Sequence, residues 1–211
     1  MSLDFTAILS GEFLNPVEVL IKIEQQMSHL GFRKIPPIYR VELDTERGVF
    51  DETDNDEISK FNTINEIKEP IQDWQGHSLN FQSKDFGFYL LIGTIESKFI
   101  NCYIDITERT LRKLLEQQTI SKYYAILGAI GACCQAKGGY GALELPFAPI
   151  SPNQIINAIW ENPEYPDIPS SMGLIPEVKQ EAALKTKLKN PFTLSYKTAG
   201  FWIVTEKDDL F

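Results

Sequence analysis

FGFYLLIGTI, residues 86–95, is apolar at nearly every position. A strand with one face in water alternates apolar and polar residues. A continuous apolar run of this length reads instead as a central strand covered on both faces. Its neighbours support a sheet. Residues 77–81 and 98–106, the latter KFINCYIDI, are rich in β-favouring residues. IYRVEL at 38–43 alternates as a half-buried strand does, and DFTAIL at 4–9 and YGALEL at 140–145 are further candidates. Residues 192–197 and 201–205 form a hairpin pattern around Ala199-Gly200.

Helices interrupt these strands without strict alternation. Asn15-Pro16-Val17-Glu18 is a helix start, followed by Val17, Leu20, Ile21, Met27 and Leu30 at helical spacing and stopped at Gly31. Thr63 to Glu66 is a second capping pattern ahead of Ile67, Ile71 and Trp74, with Pro70 predicting a short or kinked helix. Thr107 caps a helix carrying Leu111, Leu114 and Leu115, and Ser151-Pro152-Asn153-Gln154 opens one with Ile155, Ile156, Ile159 and Trp160. The mixture predicts an α+β fold: one domain over 1–211, with a mixed or mainly antiparallel sheet and helices packed against it. Residues 162–176, with prolines at 163, 166, 169 and 176, read as a long extended loop.

GAIGACCQAKGGYG, residues 128–141, holds five glycines, two adjacent cysteines and a lysine. It is not a phosphate loop, because Lys137 precedes Gly138 and no Ser or Thr follows. Cys133 and Cys134 are neighbours, a poor geometry for a disulfide, and no cysteine or histidine spacing suits a metal. Ala125, Gly128, Ala129, Ala132 and Ala136 make a smooth face, so the stretch reads as a buried helix over 120–137 with Gly138 as its left-handed cap.

The chain has 211 residues, 43% of them hydrophobic, and a formal net charge of −9. That balance argues against nucleic acid and anionic membranes as partners, and admits a basic protein. No run approaches the ~18 apolar residues of a membrane span, and MSLDFTAILSGEF lacks the basic start of a secretory signal. Three cysteines, two adjacent, predict a reduced, cytoplasmic protein.

The most charged stretch is DTERGVFDETDNDE, residues 44–57, with seven acids in fourteen residues and Arg47 as the only base. It has no calcium-loop register. Asp44, Glu46, Asp51, Glu52, Asp54, Asp56 and Glu57 read as an extended, self-repelling loop that docks on a basic partner. Trp160 and Tyr165, among the acids Glu161, Glu164 and Asp167, read as a second recognition surface. No cofactor is implied, and neither His29 nor His77 sits in a catalytic motif. The expectation is a non-catalytic, inhibitor- or immunity-type binding protein. The alternative is a hydrolase or transferase using carboxylates near Asp105 and Glu108 or in 161–167.

Overall fold

The computed structural model describes residues 3–53, 60–67, 75–95, 98–159, 171–177, 188 and 192–206. Its strands are β1 (Asp4–Glu12), β2 (Arg33–Asp44), β3 (Val49–Glu52), β4 (Lys60–Phe61), β5 (Gly76–Gln82), β6 (Gly87–Ile95), β7 (Phe99–Thr107), β8 (Ala136–Leu143), β9 (Met172–Pro176), β10 (Phe192–Thr198) and β11 (Phe201–Glu206). Its helices are α1 (Pro16–His29), α2 (Glu108–Glu116), α3 (Ser121–Cys133) and α4 (Pro152–Ile159), with a short 3-10 turn at Ile64–Glu66.

The strands form one sheet in the order β10-β11-β9-β8-β1-β7-β6-β5-β2-β3, with β4 also paired to β2. Every described pairing is antiparallel. The fold is therefore dominated by an antiparallel sheet, and α+β describes it only loosely. β6 lies inside the sheet between β5 and β7, with Phe88, Leu90 and Ile92 on one core and Leu91 on the other. That is the double coverage its continuous apolar run predicted.

The first face packs against helices. Val19, Leu20, Ile23 and Met27 of α1, Leu111 and Leu114 of α2, and Tyr123, Ile126, Leu127 and Ile130 of α3 join Phe5, Leu79, Ile104 and Ile203. The second face carries Ile8, Leu91, Tyr103, Tyr140 and Val204. It is closed by Phe147 and Ile150 from the connection after β8 and by Ile155 of α4.

Local signals set most helix starts. The Asn15 side chain accepts from the Val17 and Glu18 amides at 2.9 and 3.3 Å. Thr107 accepts from the Thr110 amide at 3.2 Å, and Ser151 and Gln154 form a reciprocal capping box. The apolar stripe of α1 is rotated from the expected one. Ile21 and Leu30 are exposed, while Val19 and Ile23 are fully buried against the sheet. At Ile64–Glu66 only a 3-10 turn forms, and Ile71 and Trp74 lie outside the described residues.

Three expectations need correction. α3 ends at Cys133, not at residue 137, because Gln135 takes the left-handed turn (φ 49°) and Ala136 already belongs to β8. Gly138 is then a strand residue and not a cap. The glycine run of β8 serves close packing: a Cβ at Gly139 would meet Leu9 Cδ2 at 2.5 Å and the Ile8 carbonyl oxygen at 2.6 Å. The proline-rich segment is not loop throughout. Its end, MGLIP, is β9, buried between β8 and β11. Finally, the acidic stretch begins as a hairpin, since VFDE is β3 paired with β2.

Candidate functional site

The β2–β3 hairpin organises the described acids. Asp44 ends β2, and its Oδ1 accepts from the Glu46 and Arg47 amides at 2.9 and 3.0 Å. This side-chain turn mimics a backbone one. Gly48 (φ 67°) completes the reversal and donates its amide to the Asp44 carbonyl at 2.8 Å. Arg47 then lies between two carboxylates, with Nη1 2.8 Å from Asp51 Oδ2 and Nε 3.9 Å from Asp44 Oδ2. The expected repulsion is thus relieved inside the described turn, which is compact and not extended.

Asp44, Glu46 and Asp51 are brought to one turn. Glu52 is not part of that surface. It points to the second face of the sheet, where it accepts from the Tyr89 hydroxyl at 2.9 Å and from Ser78. Asp54, Asp56, Glu57, Trp160 and Tyr165 lie outside the described residues, as do 161–167. Sequence reasoning missed Glu42. It stands directly across from Asp51 in the register and pairs with Arg40 at 2.6 Å. The signal was the alternation of IYRVEL, which places Glu42 in a strand, but its partner strand had been read as loop.

Asp105 and Glu108 are three residues apart but do not converge. Glu108 sits in the first turn of α2 and binds Arg112, with Nη2 to Oε1 at 2.6 Å. Asp105 stays in β7, where Thr6 Oγ1 donates to it at 2.6 Å and Tyr89 faces it across the register. Burial pushes the Asp105 carboxyl up to about 6 against the pull of the Thr6 hydrogen bond, and the neighbouring Asp4 and Glu144 add to the rise. Asp4 is itself raised by burial and by Glu144, which accepts from the Asp4 amide at 3.0 Å. The same face raises the Tyr89 phenol, first through burial.

Similarity to known proteins adds little to this geometry. No family model matches the sequence, and no curated protein matches it. In shape the chain resembles the Pseudomonas aeruginosa T6SS protein PA0821, with a TM-score of 0.49 and 11% identity. The likeness covers 96% of this chain and 68% of that one.

The histidines are apart from these acids. His29 ends α1 at the surface. His77 is 1% exposed and faces the helix-covered core beside Ile92, and burial lowers it to about 4. It is therefore neutral near pH 7 and shut away from solvent. Among the described residues, no group of three or more His, Cys, Asp or Glu is placed to hold a metal, and no helix is long and apolar enough to cross a membrane.

Proposed function

We propose that this chain is a non-catalytic acidic binding protein, of inhibitor or immunity type, whose β2–β3 hairpin docks on a basic protein. The observation that carries the reading is the turn itself. The one guanidinium of the turn, that of Arg47, pairs with Asp44 and Asp51, and Glu46 adds a third carboxylate to the same turn. The turn keeps a net negative charge while its backbone is already fixed by the Asp44 side chain. A surface ordered before encounter loses less entropy on binding. Its charge speeds encounter with an oppositely charged partner.

The test is a double variant, Glu46→Gln with Asp51→Asn. A partner is first captured on the immobilised wild-type protein from a lysate of the source organism. Its association rate is then measured with both proteins at low and high salt. The reading expects roughly tenfold slower association for the variant at low salt. It also expects convergence of the two rates as salt screens exposed charge over about 8–10 Å. Equal rates at low salt sink it.

A second reading rests on Asp105. A carboxyl with its proton affinity raised to about 6 can exchange a proton near neutral pH, as a general acid does. Hydrolase or transferase activity abolished by Asp105→Asn, with its pH profile centred near 6, would favour this reading over docking.

A further inference from the structure

In a chain with net charge −9, four basic side chains from three elements gather around one cavity. Lys84 from the β5–β6 turn, Arg109 and Lys113 from α2, and Lys122 from the first turn of α3 line a cavity of about 470 Å³. Arg109 and Lys113 are four residues apart, which sets them on one face of the helix. Asp85 is, among the described residues, the one carboxylate in its wall, and it is already taken by Lys122 at 2.5 Å. Among the described residues, Lys84, Arg109 and Lys113 have no carboxylate within ion-pair distance. Their field is nevertheless felt. The Asp85 carboxyl is held below its usual range by the Lys122 hydrogen bond first, with Lys84 and Lys113 adding to it.

A second cavity of about 430 Å³ adjoins the first and shares the Lys84, Asp85, Phe86 and Lys122 wall. Its far side is apolar. It is lined by Phe32 and by Leu30, one of the few large apolar side chains exposed among the described residues. Each cavity falls in the ~300–1,000 Å³ range of small-molecule sites. One end thus offers unpaired cations and the other offers apolar surface, across a shared wall.

We propose that this two-part cleft binds a phosphate-bearing small molecule, its phosphate held by Lys84, Arg109 and Lys113 and its apolar body laid against Leu30 and Phe32. The cleft is at the Arg33 end of β2, because the β5–β6 turn follows Gln82, the partner of Arg33. The acidic turn is at the Asp44 end, roughly 35 Å away at strand rise. The two surfaces can be occupied independently.

The test titrates the intact protein with phenyl phosphate, inorganic phosphate and phenol, followed by calorimetry and by amide NMR shifts. Phenyl phosphate should saturate with shifts confined to the residues around 30–32, 83–86 and 109–125. It should bind roughly tenfold more tightly than inorganic phosphate, from ring burial. Arg109→Ala with Lys113→Ala removes two exposed side chains and should weaken both phosphates by about tenfold or more. Leu30→Ser should erase the preference for phenyl phosphate alone. Lys137→Ala, a change at an exposed lysine of β8 that pairs with Glu12 of β1, should alter nothing.

Failure of phenyl phosphate to saturate overturns the proposal. So does an equal loss in the Lys137→Ala control, which marks non-specific charge. Sedimentation with phosphatidic acid vesicles without binding of soluble phenyl phosphate overturns it as well, and assigns the positive end to a membrane surface.

Discussion

Asn101 and Ile150, forty-nine residues apart, exchange two hydrogen bonds: Asn101 Nδ2 donates to the Ile150 carbonyl at 2.7 Å, and the Ile150 amide donates to Asn101 Oδ1 at 3.0 Å. The amide side chain thereby stands in for a strand backbone. Ser10 Oγ donates to the same carbonyl at 2.9 Å, and the Tyr103 hydroxyl donates to Ala148 at 2.8 Å. Three buried side chains fasten the connection between β8 and α4 across the second face of the sheet. Phe147, in that connection, packs on Tyr89 and Tyr103 with ring centroids 5.9 and 5.4 Å away.

Asn101→Ala leaves the Ile150 amide without its partner inside the protein. Orphaned buried groups cost about 1–3 kcal/mol each. The expected loss is about 2–3 kcal/mol in chemical denaturation, with increased proteolysis between 144 and 151. A midpoint equal to wild type would show that the connection is held by packing alone.

Gly128 of α3 packs on Thr198 of β10 so closely that a Cβ would meet Thr198 Oγ1 at 2.5 Å and Cγ2 at 2.6 Å. Gly128→Ala should cost about 1–3 kcal/mol by overpacking. Adding Thr198→Ala removes both atoms and should recover much of that loss. Ala132 is exposed, so Ala132→Leu should leave stability within about 0.5 kcal/mol of wild type. An additive double variant would refute the contact.

Two buried groups give opposing pH dependences. Between about 4 and 6.5 the unfolded chain binds a proton at His77 that the folded chain refuses, so this group makes stability rise with pH. Between the usual carboxyl value and about 6 the folded chain keeps a proton on Asp105 that the unfolded chain has lost, so this group makes stability fall with pH. Asp105→Asn, which can still accept from Thr6, should be about 1–2 kcal/mol more stable than wild type at pH 7, allowing for solvent screening. Near pH 4 the two should nearly match. His77→Asn should show the opposite tilt. Parallel curves for all three proteins would contradict this assignment.

All three cysteines are buried and unbridged. The Cys134 side chain and burial together push the Cys102 thiol well up, and burial pushes Cys133 up to about 11. Thiolate is the reactive form. Native protein should therefore react negligibly with a disulfide reagent at pH 8, and denatured protein should react at three sites. A fast-reacting native thiol would show that the helix-covered core opens readily.

What could be read from the sequence divides along physical lines. β6 was legible because double coverage leaves its mark on every residue of the strand. The starts at Asn15, Thr107 and Ser151 were legible because capping is local. β9 was not, because its partners Gly139–Gly141 and Phe201–Thr205 are about thirty residues away and its prolines pointed to loop. The end of α3 was misread because a left-handed stop was expected at a glycine, and Gln135 adopts it instead. In the acidic stretch, composition obscured the Phe50–Leu43 pair that sets the hairpin register. Glu52 was placed on the surface because nothing within its own stretch reveals Ser78 and Tyr89.

The position of β1 has a consequence for the birth of the protein. It is flanked by β7 and β8, with Asp4 opposite Thr107 and Phe5 opposite Leu143. A ribosome adding about 5–20 residues per second needs roughly 5–20 s to make the hundred residues separating β1 from its first partner. For that interval a strand whose native positions 5–11 are all buried has both hydrogen-bonding edges open. Wrong pairing in that interval competes with folding. The middle of the finished sheet is thus the part that translation closes late, and slower synthesis or chaperone cover affects yield there before any final stability is at stake.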